Sequence, residues 1–446
     1  MHKIHEINMT RGNLFPEILA FLLPLMLSSL LQIAFNAADL IVVGRFGRPN
    51  ALAAVGSNGS LINLVITFLM GLATGGGVLC ARHYGAGEQE KLQKTVSTAL
   101  LVGAGGGVLV GALGMALAGP LLRLIGSPEE VAPLAAVYLR IYFAGLPVIA
   151  LYNFSSAALR AMGNTRQPLM FLAIAGVLNV LMNLFFVIVV GIDVAGVALA
   201  TVLSQCVSCC LTVRCLLRAR ELRLRELTFS LPAFRNMASI GLPAGVQGSL
   251  FSISNFLIQA SINSFGAAVV AGNAACVSLE AFLYCPQDAS QQAATTAISQ
   301  NVGAQEYERA CRAMRHCMLL VIGISGVMSL LAVLFQTPLL RLYTTDEAAL
   351  QAARIRMSVV VTFFIFDGTM AVMNGVLRGL GRSLLPAAVT FLGVCALRIV
   401  WIYTVFAARR TLAWLYVSYP ITWVLTTGVL LICYYSVRKK PFLKQQ

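Results

Sequence analysis

The decapeptide 159-LRAMGNTRQP-168 returns later in the chain as 377-LRGLGRSLLP-386. The two copies share Leu-Arg, a glycine (Gly163, Gly381) and a proline (Pro168, Pro386) at an offset of 218 residues, and each stands just before a new apolar run. Outward from this pair the same spacing recurs. Leu23-Pro24, Asn36 and Phe46-Gly47 reappear as Leu242-Pro243, Asn255 and Phe265-Gly266 at an offset of 219, and Gly85-Ala86 as Gly303-Ala304 at 218. One such match could be chance, but four at nearly one offset mark an internal duplication.

The duplicated unit is apolar. Of 446 residues 58% are hydrophobic and only 11% charged, against roughly 45–50% apolar residues in soluble domains. Crossing a bilayer takes about 20 consecutive apolar residues, and twelve stretches qualify, from 14–41 to 412–436, six in each half. An even number gives both halves the same orientation, related by an axis along the membrane normal. The sequence therefore predicts an all-α polytopic membrane protein with twelve transmembrane helices in two pseudo-symmetric six-helix lobes around a central cleft. The N-terminal lobe is 1–216, a cytoplasmic linker 217–235, and the C-terminal lobe with a basic tail 236–446. The linker mixes signs, with Glu221 and Glu226 among its arginines, which suits a connector better than a nucleic-acid-binding arm. The first apolar run is too long for a signal peptide and lacks a small-residue cleavage site, so it reads as a retained helix.

The net charge of +15 is a topology signal here. With the N-terminus in the cytoplasm, the tails and even-numbered loops hold 22 Lys and Arg against eight on the other side, the latter including Arg354 and Arg356; Arg140 and Arg398 fall inside spans. The excess of Lys and Arg marks the cytoplasmic side, so both termini are expected there, in a multi-pass protein of the cell membrane.

Several chemistries have no residues to rest on. No Gly-x4-Gly-Lys-Ser/Thr loop occurs, and 103-GAGGGVLVGALG-114 lies in an apolar span, where small residues let helices approach closely. The histidines His2, His5, His83 and His316 sit in predicted loops or the tail, and 206-CVSCC-210 lacks the second pair or spaced histidines of a zinc site. No catalytic set, metal site or cofactor is expected, and nucleic acid is not an expected partner.

What remains is polar residues inside spans. Asp39, Glu280, Asp288 and Asp367 lie well within predicted helices, where a central carboxylate costs about 2.5–3.5 kcal/mol on insertion scales and usually faces a cavity or a partner. Asn36 accompanies Asp39, and Asn179 and Asn183 share one helix face at i and i+4. A carboxylate with amide oxygens suits a hard cation; a carboxyl in an apolar site can instead carry a proton. Asp367 stands beside Phe363, Phe364 and Phe366, a mix of charge and aromatic faces that suits an organic cation, and Glu280 offers a second charge. Structural roles remain open for these acids, through pairing with Arg140 or Arg398 or capping of a neighbouring helix. Arg160 and Arg378, at cytoplasmic helix ends, read as snorkelling anchors.

These residues together resemble the multidrug and toxic compound extrusion (MATE) transporters, in the Pro24 and Asp39 pattern of the first helix, in 85-GAG-87 and 301-NVGA-304, and in 159-LRAMGN-164 with 377-LRGLGR-382. The resemblance covers nearly the whole chain. It implies an antiporter, working as a monomer, that exports amphipathic and often cationic drugs or toxic compounds in exchange for H⁺ or Na⁺ by alternating access. It places a cation site on Asp39, Asn179 and Asn183 and implicates Asp367 on helix ten; the polar residues of the spans themselves add Asn36 to the first site and Glu280 to a second-lobe ion or substrate site. Two departures bear on the ion: many relatives carry Asp where this chain has Asn183, and the Na⁺-coupled branch resembling NorM carries a Glu on helix seven, which 236–262 lacks. The general look is closer to the DinF-like branch, which favours H⁺. The alternative is a flippase for lipid-linked precursors, a related group with a similar build but with extra helices and a basic cavity.

Overall fold

The computed structural model describes residues 7–47, 50–124, 126, 128–219 and 227–438. The charged centre of the linker (220–226), the basic tail from Lys439 and the N-terminal Lys3 lie outside the described residues. Helices follow one another along the chain: α1 Leu14–Phe46, α2 Ala51–Ala86, α3 Gln89–Leu124, α4 Ala132–Ala161, α5 Arg166–Val190, α6 Asp193–Leu217, α7 Leu231–Asn263, α8 Ala267–Gly303, α9 Tyr307–Leu334, α10 Glu347–Gly379, α11 Leu384–Phe406 and α12 Leu412–Arg438, with a short turn of helix at Gln336–Arg341. No strand occurs among the described residues. Their outer faces expose Leu109, Leu113, Val177, Leu319, Leu330 and Ile432, a density of large apolar side chains that fits a chain solvated by lipid and not by water.

Eleven of these helices are long and apolar enough to cross a membrane. The exception among the twelve expected is α7, whose middle is crowded by Gln247, Ser249, Ser252, Ser254, Asn255 and Gln259. It is still one continuous helix of 33 residues, and at about 1.5 Å per residue it exceeds the roughly 30 Å of a bilayer core. A correction concerns Arg354 and Arg356, assigned above to a loop. Helix α10 starts earlier than its apolar run, because Asp346 accepts hydrogen bonds from the Ala348 and Ala349 amides at its N-terminus, and both arginines lie inside it.

The described residues form two compact units, one built on Leu27–Gly245 and the other on Met9–Met26 with residues from Val246 onward. The partition runs through helices: α1 changes unit three residues beyond Pro24, and α7 three residues beyond Pro243. In the first unit the core gathers Leu139, Phe143 and Leu146 of α4 with Val43, Leu69 and Val197. The glycine-rich α3 packs on α4 as its composition predicted, since a Cβ on Gly111 would meet the Phe143 carbonyl oxygen at 2.5 Å. In the second unit α8 and α10 touch backbone to backbone. Thr295 and Ser299 donate to the Gly375 and Gly379 carbonyls at 3.2 and 3.4 Å.

The duplication is visible in the turns. After α4, Gly163 (φ 89°) donates to the Arg160 carbonyl and Asn164 to that of Leu159; after α10, Gly381 (φ 81°) donates to Arg378 and Arg382 to Leu377. Both are the left-handed cap that satisfies orphan carbonyls at a helix end. The turns after α2 and α8 repeat it, with Gly87 (φ 70°) in the first half but Gln305 (φ 62°) in the second. In the first of these turns Glu88, outside the membrane spans, is held below the usual carboxylate range by hydrogen bonds with Lys91 and His83.

Candidate functional site

The second half of α1 and the middle of α5 meet in the first unit. Phe35 is the fulcrum: its ring lies on Gly176, where a Cβ would collide with three ring carbons, and only glycine lets the helices come this close. One turn further along α1 Asp39 comes within reach of α5, and its Oδ1 accepts a hydrogen bond from Asn183 Nδ2. The same Nδ2 also donates to Asn179 Oδ1 at 3.2 Å, and Asn179 Nδ2 lies 3.5 Å from Thr201 Oγ1 of α6. Thr201 spends its own proton on the Val197 carbonyl at 2.9 Å, so its oxygen faces the cluster as an acceptor. Tyr138 of α4, stacked on Tyr142 at 6.3 Å, is within electrostatic reach of Asp39.

Three of the four residues expected at this site are therefore together. Asn36 is exposed and stands outside the hydrogen-bonded set. Thr201 is the addition; a threonine in an apolar helix 22 residues from Asn179 carries no sequence signal. Asn183 is fully buried, and its Oδ1 has no hydrogen-bond partner in the protein. An unsatisfied buried acceptor costs about 1–3 kcal/mol, and a bound cation or a protonated group would satisfy it. The set is a carboxylate with amide and hydroxyl oxygens on three helices, which can accept either a hard cation or a proton.

The second-half acids behave differently from one another. Glu280 of α8 is clamped by Arg356: Nε to Oε1 at 2.7 Å and Nη2 to Oε2 at 2.6 Å, with Arg356 Nη1 on Asn273 Oδ1 at 2.8 Å. Tyr416 donates to the same Asn273 oxygen at 3.1 Å, and the Tyr416 and Tyr419 rings flank the guanidinium at 5.3 and 5.2 Å. Its partner is thus neither Arg140, which is exposed, nor Arg398. Asp367 is 6% exposed and Asp288 is exposed. Arg378, read as an anchor, donates from Nη2 to Gln247 Oε1 at 2.7 Å.

Long apolar helices, a duplicated build and a buried cluster of polar side chains mark an integral membrane protein. The MatE family model matches the chain twice, over residues 24–185 and 243–404, and the two matched segments are the two copies of the repeat. The chain belongs to the MatE family, whose members are transporters and not enzymes. Among its relatives is the probable multidrug resistance protein YpnP of Bacillus subtilis, 27% identical over 87% of this chain and 88% of that protein. The probable multidrug resistance protein NorM of Thermotoga maritima is 24% identical over 86% and 84%. Among solved structures, the Vibrio cholerae MATE transporter VcmN superposes with a TM-score of 0.90 at 21% identity, over 96% of this chain and 98% of that one.

Proposed function

We propose that this protein is an ion-driven exporter of amphipathic, often cationic compounds, that Asp39 with Asn179, Asn183 and Thr201 holds the driving ion, and that it works as a monomer by alternating access. The reading rests on one observation above all: an ionisable carboxylate deep in α1 is met by amide groups of α5, with the Asn183 oxygen left free to take a cation or face a proton. The names of the relatives, multidrug resistance proteins, supply the substrate class. The ion is H⁺ or Na⁺, with H⁺ favoured because α7 carries no carboxylate. Both termini are assigned to the cytoplasm on the bias of Lys and Arg. The test is efflux of an amphipathic cation from proteoliposomes under a pH gradient alone and under a Na⁺ gradient alone. Efflux under one gradient and not the other names the ion, and efflux under neither overturns the reading.

A further inference from the structure

The junction of α11 and α12 carries two cations that the chain leaves unneutralised. No Asp or Glu follows Asp367 in the sequence, so Arg409 and Arg410 have no acid on either of the helices they join. At the connection between α9 and α10, which lies at the same end of the second unit, both acids are already engaged. The Asp346 carboxylate accepts from the Ala348 and Ala349 amides at 3.3 and 3.2 Å, and Glu347 pairs with Arg341 at 3.2 Å. Among the described residues Arg409 and Arg410 enter no ion pair, and both are exposed. They belong to the side that the distribution of Lys and Arg leaves poor in cations, where each arginine works against the topology.

The junction is built as a platform. Trp401 of α11 donates its indole Nε1 proton to the Trp414 carbonyl of α12 at 2.9 Å, and the two rings stack at 6.2 Å with 29° between their planes. Thr411 caps α12, its Oγ1 accepting from the Trp414 amide at 3.4 Å. The Arg409 guanidinium carbon lies 5.1 Å from the centre of the Trp414 ring, a contact that positions the charge without neutralising it. Trp401 and Trp414 are half-buried, and Tyr403 is 72% exposed; aromatic side chains of this kind gather at headgroup level. The depth agrees. The 23 residues of α11 rise about 34 Å at 1.5 Å each, against roughly 30 Å of bilayer core, so Arg409, just past its end, reaches the headgroups.

We propose that the α11–α12 junction binds an anionic phospholipid, its phosphate taken by Arg409 and Arg410 and its upper acyl chains lying along Trp401, Trp414 and Tyr403. Two guanidinium forks match the oxygens of a phosphate. A zwitterionic lipid offers the same phosphate but brings its own cation, which a junction without acids cannot meet. The lipid that fits therefore carries a net negative charge. The proposal does not rest on the export reading.

Two of the three tryptophans of the chain lie in this site, and the third, Trp423, is fully buried, so intrinsic fluorescence reads the site directly. The full-length protein is reconstituted in phosphatidylcholine vesicles in which a minor fraction of either phosphatidylglycerol or phosphatidylcholine carries brominated acyl chains, which quench indoles on contact. The relative binding constant should favour brominated phosphatidylglycerol about fivefold and fall toward one in high salt. Arg409→Gln/Arg410→Gln should bring the ratio to about one, and Arg409→Glu/Arg410→Glu should push it below one. Equal quenching by the two lipids in wild type overturns the proposal, as does a preference that survives the glutamine pair. Should that pair unfold early on heating, Arg410→Gln alone, which leaves Arg409 on Trp414, decides: an undiminished ratio overturns the proposal. Inorganic phosphate added at constant ionic strength should leave the ratio unchanged, and a ratio that collapses assigns the arginines to a free anion and overturns the lipid.

Discussion

Asp39→Asn separates the ion site from the scaffold that carries it. The substitution keeps the shape, and Asn183 Nδ2, which now donates to Asp39, still finds an oxygen there. A hydrogen bond to a charged acceptor contributes about 1.5–3 kcal/mol and to a neutral one about 0.5–1.5, so roughly 1 kcal/mol is lost. Against that, an apolar helix no longer holds a carboxylate, whose insertion costs about 2.5–3.5 kcal/mol at its centre. The thermal midpoint should therefore stay the same or rise. Transport should not survive. One net charge moving through about 100 mV supplies roughly 2.3 kcal/mol, which at about 1.4 kcal/mol per decade sustains an almost 50-fold concentration ratio per ion for an amphipathic substrate without net charge, whereas exchange for a monovalent cation moves no net charge and draws on the ion gradient alone. In proteoliposomes with the potential clamped at that value, wild type should build a gradient of this order and Asp39→Asn should only equilibrate the substrate. A variant that still concentrates substrate tenfold, or one whose midpoint falls by more than about 10 °C, refutes the assignment of Asp39 to the ion.

Three further outcomes follow from the packing. Glu280→Gln strands the buried Arg356 guanidinium and should cost about 3–5 kcal/mol, most of it recovered in Glu280→Leu/Arg356→Met; denaturation in detergent decides, and a Glu280→Gln protein of native stability but without efflux would make Glu280 a transport residue instead. Gln305→Gly relieves a side chain held at φ 62°, where left-handed backbone costs about 1–2 kcal/mol for other residues, so the midpoint should rise, and the reverse change Gly87→Gln should lower it. Gly75→Ala drives a Cβ into the Met237 carbonyl oxygen and should destabilise the first unit by about 1–3 kcal/mol. Gly105→Ala, with nothing within 4 Å, should be neutral or stabilising in the same measurement.

Much of this was legible in the sequence because the bilayer imposes its own grammar on a chain. Helix count follows from apolar length, and the duplication from punctuation residues whose backbone no other residue adopts as easily: Gly163 and Gly381 were paired by spacing and prove to hold the same left-handed cap. Asp39, Asn179 and Asn183 were findable because a polar group in an apolar helix stands out and because i and i+4 define a face. What the pattern could not carry is which polar groups meet across helices. Asn36 sits three residues from Asp39 yet is exposed and takes no part in the hydrogen-bonded set, Thr201 is unremarkable in its own helix, and Arg356 looked like a loop residue because the polar start of α10 hides its helical register. Pairing across 76 residues, as between Glu280 and Arg356, leaves no local trace.

The two halves diverge where the chemistry lies and agree where the turns lie. Ile258, buried at 1%, occupies the place that Asp39 holds in the first half, so the second copy dispenses with that carboxylate. It keeps its acids on α8 and α10 and supplies its own cations, Arg356 and Arg398. A duplicated scaffold thus carries a carboxylate met by amide oxygens in one copy and buried guanidinium charges in the other: the turns preserve the fold while the helix interiors are free to change their chemistry.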